Sequence, residues 1–445
     1  MNYLISSIQL NGSVNKTLLR NMKLFAKNHD ARILLYVMPG KTVHETLIPT
    51  ILLDDENIEL LYLGKEGRKL NNNLKLHDTR ILASQINPLT GFQSKLSNKH
   101  SYVLPSSKIR FLSIPNTSNH PRFLATTGSL THGNYKDGSS GASNTAQGRK
   151  AALEHEYGFA YVQIKNSRKF DWHPVAAMRN GNFHYLSDYY KNAKVYKEQV
   201  ECLVFGDIHV GDTCMKALRA SMKQIEELKP KRVFLHDVMN GHSINHHEGN
   251  DVLSSALQFK HDRKNFEDEA VECLRCLNSL ANKFPDVAFY IVESNHDLFI
   301  RKYLGNPNFI KDSVNAFFAT GIFHKLGEED GRPILQLTLE TAGEVAGNIE
   351  FLQGNDEFRV KGWGFGLHGH KGVSGSRGSS KSYSNHNLKL FSAHEHGPKI
   401  YANGICVGTM TCLELPYTFG SPGGWMHANG VMYSSGKGSL LVIIH

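Results

Sequence analysis

The sequence lacks a long apolar run, a leader-like N-terminus and a dense group of cysteines. It has no stretch of about 18 apolar residues, so we expect no membrane-spanning helix and no membrane partner. The opening residues, MNYLISSIQLNG, contain no basic segment followed by a long apolar one, which does not indicate a secretory signal. The six cysteines are dispersed over the second half, a pattern that favours reduced thiols and a cytoplasmic location.

Charge and composition are those of a globular protein. Of 445 residues, 40% are apolar and 20% are charged, which excludes a disordered or fibrous chain. At about 150 residues per domain, two to three domains are expected. Fifty Lys and Arg against 41 Asp and Glu leave a net charge of +9. This excess suits an anionic partner such as nucleic acid, and equally a solvated surface without a partner.

The first half predicts a small α/β domain. Two apolar runs, Tyr3–Ile8 and Ile33–Met38, flank a stretch with helical spacing, Thr17–Ala26. A turn-rich segment, Asn134–Gly148, is typical of a loop or internal linker. We place this N-terminal domain at residues 1–195. Its sequence shows no chemistry, and an oligomerisation surface, a partner-binding unit and a substrate-positioning cap all remain open for it.

Strands and helices alternate in the second half, from about Lys197 onward. This pattern predicts a second α/β domain over residues 196–445. We expect helices at Lys216–Leu228 and about Ala256–Phe284. We expect strands at Cys202–Phe205, Arg232–His236, Val287–Val292, Ile334–Leu339, Gly347–Leu352, Gly364–His368, Leu388–His394 and Ile405–Met410.

Histidine is abundant, and the second half contains fifteen of the 24. Polar side chains with metal-binding atoms follow five of its predicted strands. Because ligands bind at the carboxyl ends of strands in open α/β sheets, these side chains are expected to meet at one edge. They are Asp207 and His209, Asp237, Asn295 and His296, His368, and His394 and His396.

Carboxylate, amide and imidazole groups together suit divalent ions such as Mn, Fe or Zn. Seven of these eight side chains, all except His296, are candidate ligands; seven exceed the needs of one catalytic ion, whereas two ions with one shared carboxylate fit the count. A two-metal centre of this kind clamps the attacking and leaving oxygens of a phosphoryl group. Taken singly, each of the five groups of polar residues is also typical of a surface turn, an Asx-turn or an exposed strand. The ordered set of five favours a metal site.

The motifs that carry these residues are, in order, G-D-I-H (Gly206–His209), H-D (His236-Asp237), S-N-H-D (Ser294–Asp297), L-H-G-H (Leu367–His370) and A-H-E-H (Ala393–His396). In this order they resemble the calcineurin-like metallophosphoesterase superfamily, over about residues 200–445. The resemblance implies an α/β/β/α sandwich for the C-terminal domain. His236, Ser294 and Ala393 replace glycines of the family pattern, and none of the three is a ligand position.

Carried over by position, the resemblance implies a role for each residue. Asp207, His209 and His396 would bind one metal ion; Asn295, His368 and His394 would bind the other; and Asp237 would bridge them. At the L-H-G-H motif, His368 is preferred over His370 because it ends the strand. His296 would protonate the leaving oxygen. Asp297 would orient His296.

The function implied is that of a two-metal phosphodiesterase acting on nucleic acid, namely a DNA nuclease that uses a metal-bridging hydroxide. The expected cofactor is a pair of Mn²⁺ ions, with Fe or Zn as alternatives. The resemblance extends loosely to SbcD-type repair nucleases and to phage early DNases, for which the location would be the host cytoplasm. A phosphatase or phosphodiesterase for a small nucleotide is the alternative, and a scaffold without activity is a third hypothesis.

Two loops beside the motifs remain open to two interpretations. Lys371, Arg377 and Lys381 lie in the segment KGVSGSRGSSKS and either close over a phosphate backbone or belong to a disordered surface loop. After Asp237, a polar group either lines the substrate entrance or is simply solvated. Its members are His242, His246, His247 and Glu248.

Overall fold

The structure is a computed structural model that describes residues 1–38, 47–64, 67–81, 85, 87–117, 120–133, 135, 146–245, 252–260, 262–328, 331–354, 356–415 and 418–444. In these ranges the helices are α1 (Lys16–Asn28), α2 (Phe92–Lys95), α3 (Ala146–Leu153), α4 (Met215–Leu228), α5 (Val252–Lys260), α6 (Phe266–Lys283), α7 (Asp297–Leu304), α8 (Ala316–Glu328), α9 (Ile334–Ala342) and α10 (Ser380–Asn385).

The strands of the same ranges form four sheets. In chain order they are β1 (Asn2–Gln9), β2 (Ala31–Met38), β3 (Ile58–Tyr62), β4 (Leu74–Leu76), β5 (Ser101–Leu104), β6 (Phe111–Ile114), β7 (Arg122–Thr126), β8 (Gly158–Ile164), β9 (Phe170–Ala176), β10 (Phe183–Tyr185), β11 (Asp188–Lys191), β12 (Lys194–Lys197), β13 (Cys202–Val204), β14 (Arg232–His236), β15 (Ala288–Val292), β16 (Ile349–Leu352), β17 (Arg359–Val360), β18 (Trp363–Gly364), β19 (Leu390–Ser392), β20 (Lys399–Ile400), β21 (Gly404–Cys406), β22 (Ala428–Met432) and β23 (Gly438–Val442).

The fold belongs to the α/β class, as the alternating pattern predicted. A six-stranded sheet in the order β16-β15-β14-β13-β22-β23 forms its centre. Strands β13 to β16 run parallel, and β22 and β23 are antiparallel additions. Strands β14 and β15 are buried on both faces, which explains why they are almost continuously apolar.

Three predictions for local structure in the second half need correction. The strand predicted at Gly364–His368 ends at Gly364, so His368 lies in the loop that follows and does not end the strand. Ile334–Leu339 lies in helix α9, not in a strand, because a short apolar run is equally compatible with a buried helix. Its side chains pack against α6 and α8. The long helical region predicted over about Ala256–Phe284 is divided into two helices, α5 and α6. Helix α6 begins where the Asn265 side chain accepts hydrogen bonds from the Glu267 and Asp268 amides.

A nine-stranded mixed sheet joins the two halves of the chain. Its order is β17-β18-β19-β21-β20-β6-β7-β5-β4, so strands from residues 74–126 and from residues 359–406 share one hydrogen-bonded sheet. The junction is the antiparallel pair β20 and β6, with Lys399 opposite Leu112. The boundary predicted at residues 195/196 therefore does not coincide with a break in this sheet.

Aromatic side chains fill the space between the six-stranded and nine-stranded sheets. Phe234 of β14 stacks on Phe365 with ring centroids 4.6 Å apart, and Phe365 stacks on Phe391 of β19 at 5.0 Å. All three are fully buried, and each contributes roughly 1.5–3 kcal/mol of hydrophobic stabilisation. The other face of the six-stranded sheet packs on α4, α6 and α9. Helix α10 packs against β19 and β21.

The N-terminal half also contains a sheet of its own. It has the order β3-β2-β1-β8-β9, and α1 covers one face through Leu18, Met22 and Phe25. The other face contributes Trp172 to the core between the large sheets.

Most of Asn134–Gly148, and all of His246, His247 and Glu248, lie outside the described residues. Among the helices the structure describes, none has the length and apolar character needed to cross a bilayer.

Candidate metal centre

The predicted ligands meet where two sheets present their loops to each other. Asp207, Asp237 and Asn295 follow β13, β14 and β15 of the six-stranded sheet. The histidines of the later motifs come from the loops after β18 and β19 of the nine-stranded sheet. The centre is thus built from both sheets, and the aromatic core between them holds its two sides together.

Four of the predicted ligands have left-handed backbone conformations. The φ angles are +46° for His209, +47° for Asp237, +72° for His394 and +53° for His396. Such conformations cost a non-glycine residue about 1–3 kcal/mol each, and they cluster at functional sites. In the strand-end loops they direct consecutive polar side chains toward one point. The cost is therefore consistent with a functional centre rather than with an ordinary set of turns.

One group of donors consists of Asp207, His209 and His396. His396 Nε2 lies 3.1 Å from Asp207 Oδ2 and 3.3 Å from His209 Nε2. Donor atoms bound to a common ion at about 2.1 Å are separated from one another by roughly 3 Å. These three side chains therefore have the spacing of ligands around one metal ion.

Asp237 occupies the middle of the centre. A single oxygen, Oδ2, lies 3.3 Å from His209 Nε2, 3.5 Å from His368 Nε2 and 3.8 Å from His296 Nε2. These three imidazoles come from different loops. One carboxylate oxygen is therefore shared between the group around His209 and the group around His368, which is the position expected of a bridging ligand.

The second group consists of Asn295 and His368 with Asp237. His368 Nε2 lies 3.0 Å from Asn295 Oδ1, and His368 Nδ1 lies 3.7 Å from Asp207 Oδ1. His394 is less directly placed. Its backbone amide donates to Asp207 Oδ2 at 2.9 Å, and its ring centroid lies 5.2 Å from that of His368. His394 thus borders this group without its ring joining the compact donor sets.

His296 is oriented by a group that the sequence did not indicate. His296 Nδ1 donates a hydrogen bond to the backbone carbonyl of Asn240 at 2.5 Å, and its ring packs on Phe299. Asp297, predicted to orient His296, instead accepts a hydrogen bond from the Ser294 amide at 2.8 Å through Oδ2. The predicted contact is therefore wrong, because Asp297 begins helix α7 and its side chain caps its own loop.

Burial sets the protonation states of the centre. It lowers the pKa of His209 to about 4 and that of His368 to about 3, so both imidazoles are neutral near pH 7. Burial alone would raise the pKa of Asp207, but the imidazoles of His368 and His396 hold it at about 2. The pKa of Asp237 is lowered in the same way by His296, His209 and His368. Neutral imidazoles and ionised carboxylates are the forms that bind metals.

Several buried polar atoms of the centre are unsatisfied within the part of the chain that the structure describes. Asp207 Oδ1 and Asp237 Oδ1 have no hydrogen-bond partner, and neither has His396 Nδ1. An unsatisfied buried charge costs several kcal/mol unless a cation or hydrogen bond compensates it. The buried Asp and His groups can thus bind a metal ion.

Three contributors to the centre were not predicted from the sequence. His236 is fully buried behind His368, with the two Nδ1 atoms 3.4 Å apart, and was noted only as a departure from glycine. Glu395 holds the start of helix α10 because its Oε1 accepts hydrogen bonds from the Ser380 amide and hydroxyl at 2.9 and 2.6 Å. The Asn240 carbonyl could not have been found, since a backbone acceptor has no residue-type signal.

His242 lies beside the centre and is tied into a polar network. His242 Nε2 lies 2.9 Å from Asp212 Oδ2, which also accepts a hydrogen bond from the Asn240 side chain at 2.6 Å. Arg263 approaches Asp212 Oδ1 at 3.0 Å. This network fixes Asn240, whose carbonyl orients His296.

Comparison with known proteins gives one relationship that spans most of the chain. No protein-family profile matches the sequence. The chain is 27% identical over 407 residues to Protein A1 of Escherichia phage T5, an alignment that covers 85% of this chain and 70% of that protein. The chain is therefore similar to a phage protein along most of its length, and its buried His and Asp groups form a candidate metal centre.

Proposed function

We propose that this protein is a metal-dependent phosphodiesterase of the calcineurin-like metallophosphoesterase superfamily and that it acts on DNA. The observation that carries the proposal is the shared oxygen of Asp237, which lies within 3.3–3.8 Å of imidazoles from three loops. A single-ion structural site has no need of such a shared carboxylate, whereas a two-ion centre does.

In this proposal two divalent ions, Mn²⁺ foremost, would be held by two donor groups that share Asp237. Asp207, His209 and His396 belong to one group, and Asn295 and His368 belong to the other with His394 at its border. When bound, such ions stabilise the charge on a phosphoryl group and activate a water nucleophile. The protein contributes fixed geometry, since all of these residues are buried or half-buried.

His296 is the proposed general acid. A carbonyl oxygen only accepts hydrogen bonds, so the contact to Asn240 requires that His296 Nδ1 carry a proton. Nε2 is then the ring atom that gains and loses a proton, and it faces Asp237 and the centre. The imidazole is half-buried and retains access to substrate. It is therefore placed to donate a proton to the leaving oxygen of a phosphodiester.

The loop after His368 provides positive charge next to this centre. It contains a short turn at Val373–Gly375 and helix α10, and the bonds from Ser380 to Glu395 tie it to the A-H-E-H motif. Lys371, Arg377 and Lys381 are exposed and form no salt bridge with any residue that the structure describes. The three cations of this loop support a polyanionic substrate such as DNA over a small ester.

The test is digestion of plasmid DNA by the purified protein in EDTA, Mg²⁺, Mn²⁺ and Zn²⁺, with His296→Ala and Asp237→Asn alongside. A small chromogenic phosphodiester is assayed in the same series. We expect cleavage of plasmid with Mn²⁺ that both substitutions abolish. Turnover of the small ester with intact plasmid would instead establish a nucleotide phosphodiesterase. Absence of metal-dependent cleavage of either substrate would refute the proposal.

A further inference from the structure

Trp425 is packed directly against a candidate metal ligand. The ring centroids of Trp425 and His396 are 4.3 Å apart at an interplanar angle of 70°. The backbone fixes this contact, since the Met426 amide donates to the His396 carbonyl at 3.1 Å. Trp425 is half-buried, so part of the indole faces outward. It is therefore an aromatic surface immediately beside the centre.

The exposed side of Trp425 lines a groove of about 490 Å³. One wall comes from the loop after β6, with Asn116 and Pro121, and the other from the segment before β22, including Gly423. The two walls are joined by reciprocal backbone hydrogen bonds of 3.0 Å between Asn116 and Gly423. The N-terminal half thus forms part of a groove lined by Trp425, the aromatic neighbour of the candidate ligand His396.

The groove is neutral apart from one carboxylate. Among its described lining residues, Glu414 is the only charged one, and no cation is present. Such a lining does not favour a second phosphate, because a phosphate requires Lys, Arg or several amide donors. It suits an uncharged planar ring that stacks on the indole. Its volume falls within the range of about 300–1,000 Å³ typical of small-molecule pockets.

We infer that this groove binds the nucleobase of the nucleotide whose phosphate lies at the metal centre, with Trp425 as the stacking surface. The inference rests on the proposed function and narrows its substrate to phosphodiesters that carry a base. Metal–ligand bonds are about 2 Å long and Trp425 contacts the ligand His396 directly, so indole and phosphate lie within the reach of one nucleotide.

Tryptophan fluorescence tests the inference without catalysis. Besides Trp425, the chain contains Trp172, which is fully buried, and Trp363, which is half-buried and bonded to the Gly436 carbonyl. With Mg²⁺ present, a deoxynucleoside monophosphate should quench the wild type and Trp363→Phe saturably, whereas Trp425→Phe should not respond. Deoxyribose 5-phosphate, which has no base, should quench none of them. Quenching that persists in Trp425→Phe, or its absence in the wild type, would overturn the inference.

Kinetics with a short oligonucleotide provide the second measurement. Trp425→Ala should raise KM on the order of tenfold with little change in kcat, since stacking adds binding rather than chemistry. Trp425→Phe, which keeps a ring, should recover most of the loss. With an abasic site next to the cleaved bond, the wild type and Trp425→Ala should have the same KM. An unchanged KM in a folded Trp425→Ala, judged by thermal melting, would refute the groove while leaving the nuclease proposal intact.

The two proposals fail separately. If the wild type cleaves no phosphodiester, the proposed function is lost, yet the quenching experiment still decides whether Trp425 binds a base. If DNA is cleaved and quenching does not depend on Trp425, the chemistry stands and the groove does not contact the base.

Discussion

Two buried polar clusters in this protein differ in whether their charges are compensated. In the N-terminal half, Lys108 Nζ lies 2.5 Å from Glu154 and Arg110 lies 2.6 Å from Glu156, so each buried cation has its own carboxylate. We call these four residues the ion-pair cluster. In the metal centre, carboxylates and imidazoles converge without a Lys or Arg among the described residues of the donor groups, and Asp207 and Asp237 keep unsatisfied oxygens.

The difference indicates what each cluster does. The ion-pair cluster has its compensating charges within the protein, so its contribution to stability should not depend on an added metal ion. In the metal centre, the positive charge that compensates the carboxylates comes from an added metal ion. The stability of the protein should therefore depend on whether that ion is present. The predictions below test this contrast, from the largest expected effect to the smallest.

Asp237→Asn should have the largest effect. Removing the shared carboxylate should lower the rate of plasmid cleavage on the order of 1,000-fold or more, since both ions lose a ligand. The rise in melting temperature on addition of Mn²⁺ should also disappear, because the shared carboxylate belongs to both donor groups. A variant destabilised equally in EDTA and in Mn²⁺ would contradict the contrast.

His296→Ala and Asp297→Asn should distinguish the role of the proposed general acid, His296, from that of Asp297. Loss of the proton donor should lower kcat roughly 100- to 1,000-fold. Asp297→Asn should lower it less than about tenfold, because the structure assigns the orientation of His296 to the Asn240 carbonyl. Comparison of kcat for the two variants at saturating Mn²⁺ tests whether Asp297 has a part in orienting His296. Equal losses would restore the orienting role that the sequence predicted for Asp297.

Glu154→Gln should affect the fold rather than the chemistry. It leaves the buried Lys108 ammonium without its carboxylate, and the free energy of unfolding should fall by about 3 kcal/mol. Urea unfolding should show the same loss in EDTA and in Mn²⁺. Lys197→Ala, which breaks the exposed pair with Asp188, serves as the control and should cost less than about 1 kcal/mol. A loss of stability in Glu154→Gln that differs between EDTA and Mn²⁺ would contradict the contrast between the two clusters.

Acid should destabilise the metal-free protein through its buried histidines. Burial lowers the pKa of His209 and His236 to about 4 and that of His368 to about 3, while the unfolded chain binds protons near 6.5. In EDTA the free energy of unfolding should therefore fall between pH 6.5 and 4, by about 1.4 kcal/mol per pH unit for each histidine.

One buried group acts in the opposite direction over this range. Burial raises the pKa of Asp297 to about 8, so its contribution to stability is present at low pH and is lost as pH rises through that value. One carboxyl group does not offset the three histidines, and the net slope should keep its sign. A flat stability profile from pH 6.5 to 4, measured by urea unfolding in EDTA, would contradict the assigned protonation states.

Lys381→Ala should have the smallest effect. Loss of one phosphate contact should weaken DNA binding several-fold and reduce the slope of log K against log salt by about one. Cleavage of the small chromogenic ester should not change, since its phosphate lies at the metals. Anisotropy titrations of a labelled duplex at several salt concentrations measure the slope. Lys223→Ala, on the outer surface of α4, is the matched control.

Much of the centre was predictable because its residues follow strands. Periodicity identified β13, β14 and β15, and in a parallel sheet the carboxyl ends of such strands share one edge. The same reasoning failed at Ile334–Leu339, which is helix α9, because an apolar run reports burial and not backbone geometry. It also could not show that β6 pairs with β20, since hydrogen bonds between strands leave no mark on side-chain pattern.

The sequence by itself determined the α/β class, the donor types and the order in which they occur, since these depend on local periodicity and residue chemistry. Only the tertiary structure decided which atoms meet. His209 and His396 are 187 residues apart and come within 3.3 Å because two sheets pack face to face. The acceptor for His296 is a backbone carbonyl, and Trp425 reaches His396 through a loop. Such contacts depend on how distant segments pack, which no local pattern encodes.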